Sequence, residues 1–131
     1  MITWPGAIAV AAGAAVGGVL RYVVGVWFAQ RFGPGFPLGT LFINVTGSFL
    51  IGVVVEVTQT RALAASPMLR LLLATGLLGG YTTFAAFSYE ALTLGVEGAG
   101  ALSFAYAAGS VLLGVAACFL GVGTSRLMLR P

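Results

Sequence analysis

The sequence predicts an all-α integral membrane protein of four transmembrane helices, with helix three broken near its middle. Three observations lead there. The 131 residues are 60% hydrophobic and 7% charged, with a mean hydropathy of +1.08, whereas a soluble domain carries about a quarter of its residues charged. The apolar residues gather into four stretches, each reaching the roughly 20 residues that a helix needs to cross the hydrocarbon core. In the third stretch, Gly79-Gly80-Tyr81-Thr82-Thr83-Phe84-Ala85-Ala86-Phe87-Ser88 interrupts the apolar run from Leu71 to Tyr89. Glycine loosens the backbone there and β-branched threonine adds little helix propensity. Irregular backbone at membrane depth is tolerated only where protein or a water-filled path surrounds it. The segment therefore predicts a broken helix with carbonyls free to hold an ion, in a protein that moves something across a membrane.

The first span is expected from Gly6 to Ala29. No basic region precedes its apolar stretch, which continues to about Phe28, so it reads as a retained helix and not as a signal peptide. Gly13 and Gly17 form a GxxxG pair within it. Arg31-Phe32-Gly33-Pro34-Gly35-Phe36-Pro37 makes a tight Gly/Pro loop to the second span, Leu38 to Val57, where Ser48 and Gly52 repeat the small-xxx-small spacing. The connection Thr58 to Pro67 holds Arg61 and ends on a Ser-Pro helix-start signal before span three, Leu69 to Leu92. A short acidic turn, Thr93 to Gly98, leads to span four, Gly100 to Val122. Residues 1–131 thus form a single four-span membrane domain with no separate soluble part. Tight packing within one chain accounts for most of the small residues, while the scant interior of four helices predicts oligomerisation.

The charges are few. All six basic residues are arginines (21, 31, 61, 70, 126 and 130), and the acids are Glu56, Glu90 and Glu97. The pI near 9.6 reflects helix flanks, and nothing suggests nucleic acid. Arg61, Arg70, Arg126 and Arg130 fall on the side shared by both termini and the second connection, with Arg31 opposite and Arg21 nearer to it. The positive-inside rule favours cytoplasmic termini by a small vote, which leaves room for insertion both ways round. With no His and a single Cys118, disulfide scaffolds and Cys/His metal sites are excluded within one chain. An enzyme is excluded on the same inventory, since no nucleophile has a base beside it.

Polar residues inside the spans mark the candidate path. Thr40, Asn44 and Ser48 recur at i, i+4 and i+8 and share one helical stripe. Interhelical hydrogen bonding explains Thr40 or Ser48 as well as a functional role does. Asn44, beside a broken helix, reads as a pore-lining donor, because an amide NH₂ donates to an anion without a fixed charge that would trap it. Phe84 and Phe87, at i and i+3, project from one face, where ring edges carry partial positive charge beside Thr82, Thr83 and Ser88. Apolar packing is the ordinary role of such a pair. Tyr106 and Ser110 repeat the i, i+4 spacing in span four and either satisfy carbonyls or border the same track. Arg21 snorkels to the interface or concentrates anions at a pore mouth. Glu56 and Glu90 fall close to helix ends, where an interfacial position is expected.

Three motifs occur in order, one per successive span: Gly17-x-x-x-Arg21-Tyr22, Gly39-Thr40-Leu41-x-x-Asn44-x-x-Gly47-Ser48-Phe49, and Gly79-Gly80-x-Thr82-Thr83-Phe84-x-x-Phe87. Together they resemble the small fluoride channels of the Fluc/CrcB family over nearly the whole chain. The resemblance implies an antiparallel, dual-topology dimer with two fluoride pores, passing fluoride passively out of the cytoplasm across the inner (plasma) membrane. It also implies a structural Na⁺ at the dimer centre, held by the main-chain carbonyls of Gly79 and Thr82 from both subunits. On the same resemblance Asn44 donates to fluoride, Phe84 and Phe87 line the path with ring edges, Thr83 lies beside them, Tyr106 and Ser110 border it, and Arg21 stands in the vestibule. Two departures stand out. Ala85 and Ala86 occupy positions where the family usually carries hydroxyls, and Gly114 follows Ser110 where another serine is common.

Three other readings compete. One subunit of a heterodimeric fluoride channel would explain the alanine departures. A small four-span proton-coupled drug exporter would need a carboxylate within the first span, which has none. A non-transporting assembly subunit would leave Asn44 and Phe84 free to vary.

Overall fold

The computed structural model describes residues 2–59 and 66–129. The elements are α1 (Trp4–Phe32), α2 (Leu38–Gln59), α3 (Pro67–Arg70), a π-helical segment (Leu71–Leu78), α4 (Gly79–Tyr81), α5 (Phe84–Val96) and α6 (Gly100–Met128). From α3 to α5 the chain makes one interrupted span, so four helical stretches are long and apolar enough to cross a membrane. The expected spans lie inside the observed ones. At both ends of α1 and at the start of α3 the helix runs on to a local capping residue and does not stop at the edge of the apolar run. Thr3 caps α1, its hydroxyl accepting the Gly6 N–H at 3.3 Å, with Pro5 in the first turn. Gly33, at φ 80°, ends α1 in a conformation that side chains disfavour. Ser66 caps α3, accepting the Leu69 N–H at 3.2 Å, with Pro67 following as the Ser-Pro signal predicts. Arg61 and Arg130 lie outside the described residues, so their expected placement is a matter of sequence alone.

The surface is apolar, as a lipid-facing protein requires. Trp4, Val19, Tyr22 and Trp27 of α1 are exposed, and so are Phe104, Leu112, Phe119 and Leu120 of α6. Buried apolar side chains are few: Ile43, Leu78, Leu94, Tyr106 and Ala117. Glycines let the helices approach to backbone contact. A methyl group at Gly13 or Gly17 would run into the carbonyls of Leu72 or Leu77 in the π-helical segment. From the other side, a Cβ at Gly80 would stand 2.6 Å from the Ala14 carbonyl oxygen. Gly52 presses on the Cys118 carbonyl and Gly121 on that of Phe49 in the same manner, which joins α2 to α6. Gly13, Gly17 and Gly52 of the GxxxG and small-xxx-small pairs therefore pack within one chain.

The break in span three differs in detail from its sequence signature. The Gly79–Gly80 pair stays helical and serves the close approach to α1. The helix opens at the threonines, where Thr82 (φ −81°, ψ 158°) and Thr83 (φ −151°, ψ 116°) are extended. β-Branched residues favour that conformation. The π-helical segment just before the break had no sequence signature. Wide turns of this kind commonly accompany functional sites inside helices.

Candidate ion pathway at the broken helix

Two helix ends meet at the break. α4 finishes at Tyr81 with carbonyls lacking helical partners, and α5 starts at Phe84 with free N–H groups. The first end favours a cation and the second an anion. Thr83 caps α5, its hydroxyl accepting the Ala86 N–H at 3.2 Å. Thr82 turns back on the π-helical segment: its hydroxyl donates to the Leu78 carbonyl at 2.9 Å.

Asn44 holds the break open. Its Oδ1 accepts the Thr83 N–H at 2.9 Å, and its Nδ2 donates to the Thr83 carbonyl at 3.1 Å. In a continuous helix that N–H would return to the Gly79 carbonyl, so the α2 side chain takes the place of a helical bond and leaves the carbonyl available. An amide carries a second N–H on Nδ2. Asn44 is thus interhelical glue and retains a donor beside the cavity.

A cavity of about 490 Å³ lies against this clip. Asn44, Thr83, Phe84, Phe87 and Ser110 line it, and Gly79 and Thr82 border it too. The rings of Phe84 and Phe87 lie 5.4 Å apart between centroids. Phe84 remains 76% exposed although it faces the cavity, so nothing among the described residues closes that side over the ring. The Ser110 hydroxyl is buried without a hydrogen-bond partner among the described residues.

Beyond Phe87 the structure places a cluster that the sequence did not reveal. Glu90 is a hydrogen-bonded carboxylate: Thr40 donates to its Oε1 at 2.7 Å and Tyr106 to its Oε2 at 2.7 Å. α5 runs on to Val96, so Glu90 falls well inside the helix and on the face of Phe87, at i+3. That spacing was the available signal. Tyr106 is 2% exposed, and its ring packs on Phe87 and edge-to-face on Phe36, each at 5.4 Å between centroids. A second cavity, of about 370 Å³, opens on the other side of Glu90 and Thr40, under Gly33, Pro34 and Phe36 of the first loop.

The α2 stripe is thus accounted for turn by turn. Thr40 reaches Glu90, Asn44 clips Thr83, and Ser48 faces the larger cavity. Arg21 is half-buried, lines neither cavity, and makes no hydrogen bond or ion pair with the described residues. Ala85 and Ala86 also lie outside both linings. Glu56 pairs with Arg126 at 2.9 Å at the end of the bundle where α2 finishes.

Comparison with known proteins places these features in a wider set. Residues 8–122 match the family described as CrcB-like protein, Camphor Resistance (CrcB). The "Fluoride-specific ion channel FluC" of Rhizobium meliloti (strain 1021) is 52% identical over 119 residues, which cover 91% of this chain and 94% of that protein. The protein of the same description from Roseiflexus sp. (strain RS-1) is 49% identical over 121 residues, covering 92% and 97%. That from Chloroflexus aurantiacus (strain ATCC 29366 / DSM 635 / J-10-fl) is 45% identical over 119 residues, covering 91% and 94%.

Proposed function

The chain belongs to the CrcB family, and from that premise we infer that it is a fluoride-specific ion channel, a multi-pass membrane protein and not an enzyme. The observation that carries this is near-50% identity, over nine-tenths of the chain, to proteins described as fluoride-specific channels. Passive efflux through the plasma membrane lowers cytoplasmic fluoride.

At the level of residues, fluoride meets the second N–H of Asn44, the ring edges of Phe84 and Phe87, the Thr83 region at the N-terminus of α5, and the Ser110 hydroxyl. These groups donate hydrogen bonds or partial positive charge without a full cation that would hold the ion. Tyr106 borders the way to the second cavity. Arg21, one turn past Gly17, raises the local anion concentration at the vestibule.

The working unit is an antiparallel dimer, with the termini facing opposite sides in its two subunits. The 76% exposure of Phe84 at a cavity wall supports a second copy as the missing side. A homodimer is the simpler form, since neither Ala85 nor Ala86 lines a cavity and the absent hydroxyls leave the path as described. The drug-exporter reading lacks its first-span carboxylate in α1.

The residues at the break also fit a structural Na⁺. Asn44 takes the Thr83 N–H away from the Gly79 carbonyl, and the extended Thr82 turns its own carbonyl off the helix axis. Hard cations take oxygen ligands, and two carbonyls from each of two chains make a neutral set suited to a monovalent ion. When bound, the ion supplies positive charge that ties the two broken spans together.

Fluoride efflux from liposomes holding this protein alone, with chloride as the control and Na⁺ present, tests the reading. Rapid, fluoride-selective efflux is the expected result. Folded protein that passes no fluoride would overturn the homodimeric channel and leave a heterodimeric partner or another transported species.

A further inference from the structure

Ser48 and Gly114 play no part in the path so far. Ser48 lines the 490 Å³ cavity one turn along α2 from Asn44, and its hydroxyl makes no hydrogen bond with the described residues. Serine hydroxyls inside helices commonly bond back to the carbonyl four residues earlier, as Ser88 and Ser125 do here. Ser48 does not, so its donor is available to the cavity. Across from it, Gly114 lies one turn along α6 from Ser110 and lines the same cavity. A Cβ placed on Gly114 would stand 3.4 Å from Ser48 Oγ. That is ordinary contact, so close helix packing does not demand a glycine there, in contrast to Gly52 or Gly121. The bare Gly114 backbone instead leaves the Ser48 hydroxyl open to the cavity.

We propose that Ser48 is an ion-contacting residue: its hydroxyl, facing the cavity across Gly114, acts with that of Ser110 as a station for a partly dehydrated anion one turn beyond Asn44. The inference rests on the fluoride-channel reading and adds a residue and a place to it. The Ser110 hydroxyl is a buried donor with no partner among the described residues, and Ser48 supplies a second hydroxyl unpaired among them in the same cavity. A buried donor left without a partner is costly, and an anion satisfies it more strongly than a neutral acceptor. Two hydroxyl donors on facing helices let the ion leave Asn44 without regaining its full water shell. Gly114 keeps the space between them clear, so the donor at this level comes from α2 and not from α6.

Fluoride efflux is compared for wild type, Ser48→Ala, Ser48→Cys, Gly114→Ser, Ser48→Ala/Gly114→Ser and Ser48→Ala/Gly114→Ala, each checked for wild-type oligomeric state and melting temperature. Ser48→Ala is expected to lower flux by about tenfold, the loss of one charge-assisted donor. Ser48→Cys, close in size but a weak donor, is expected to follow it and covers the case of a poorly folding alanine variant. Adding Gly114→Ser to Ser48→Ala is expected to recover most of the flux, because that hydroxyl enters the same space from α6. Rescue by Gly114→Ser but not by Gly114→Ala in the Ser48→Ala background separates an ionic role from a packing role, since both add bulk beside position 48 and only serine adds a donor. Wild-type flux from Ser48→Ala overturns the proposal, as does a loss that Gly114→Ser does not rescue. A wild-type protein that carries no fluoride removes the channel reading itself, an outcome distinct from either.

Discussion

At the scale of the residue, Asn44 decides most. It makes two hydrogen bonds to the main chain of Thr83 and lines the larger cavity, so it shapes the break. Asn44→Ala leaves the Thr83 N–H and carbonyl unpaired, at about 1–3 kcal/mol for each group that stays buried. A lower melting temperature together with lost flux is the expected outcome. Asn44→Asp keeps the acceptor for Thr83 N–H, loses the donor and sets a carboxylate beside the anion path. Fluoride flux is therefore expected to fall at least about tenfold in a protein that still assembles. Unchanged flux in that variant would take Asn44 out of the pore. Glu90 makes a second residue-level case. Glu90→Gln can accept from only one of Thr40 and Tyr106 through its oxygen, and its NH₂ meets the other hydroxyl. Both bonds to Tyr106 and Thr40 become neutral and weaker, so the buried Tyr106 ring is held less firmly, and flux measured beside Tyr106→Phe is expected to drop in both variants. Asn44 was legible as an amide in an apolar span, whereas the partners of Glu90, Thr40 and Tyr106, were not, because they come from other helices.

At the scale of the element, the interrupted span holds its shape through α1. Gly13 and Gly17 meet the carbonyls of Leu72 and Leu77, so the wide turns of the π-helical segment rest on bare backbone. Gly17→Ala inserts a methyl group where no side chain can yield, and overpacking of this kind costs roughly 1–3 kcal/mol. A fall in melting temperature in detergent is expected for Gly17→Ala, and little change for Gly18→Ala, whose Cβ would meet nothing within 4 Å. Equal melting behaviour of the two would remove the close-approach account. The GxxxG spacing was visible in the sequence, but its partner was not. The π-helical segment had no signal at all, because Leu71–Leu78 is an ordinary apolar string whose hydrogen-bond register is selected by what packs against it.

At the scale of the whole molecule, most of the apolar surface faces outward and the larger cavity has one open wall. Phe84→Ile tests what closes it. The substitution keeps apolar bulk for assembly but removes the ring edge, so the dimer should persist by cross-linking while fluoride flux falls. Loss of the dimer instead would make Phe84 a packing residue. The Na⁺ proposal is also a whole-molecule matter, since one chain supplies only half of the carbonyl set. Reconstitution with Na⁺ replaced throughout by N-methylglucamine is expected to lower flux or dissociate the dimer, and full activity in its absence would overturn the proposal.

What the sequence determined by itself is set by transfer to lipid and by local backbone preference. Four spans follow from runs of apolar residues, the break from a glycine pair followed by two threonines, and the polar stripe of α2 from a spacing of four. Membership of the fluoride-channel family was legible because each of its motifs is a short stretch within one span, where neighbours in sequence are neighbours in space. Tertiary structure alone decided which groups are satisfied by which. Asn44 reaches Thr83 across 39 positions, and Thr40 reaches Glu90 across 50. Whether a polar group in a membrane span is glue, donor or ion contact depends on the atom opposite it. Helix packing puts that atom there, through close approaches between glycines and carbonyls far apart in the chain.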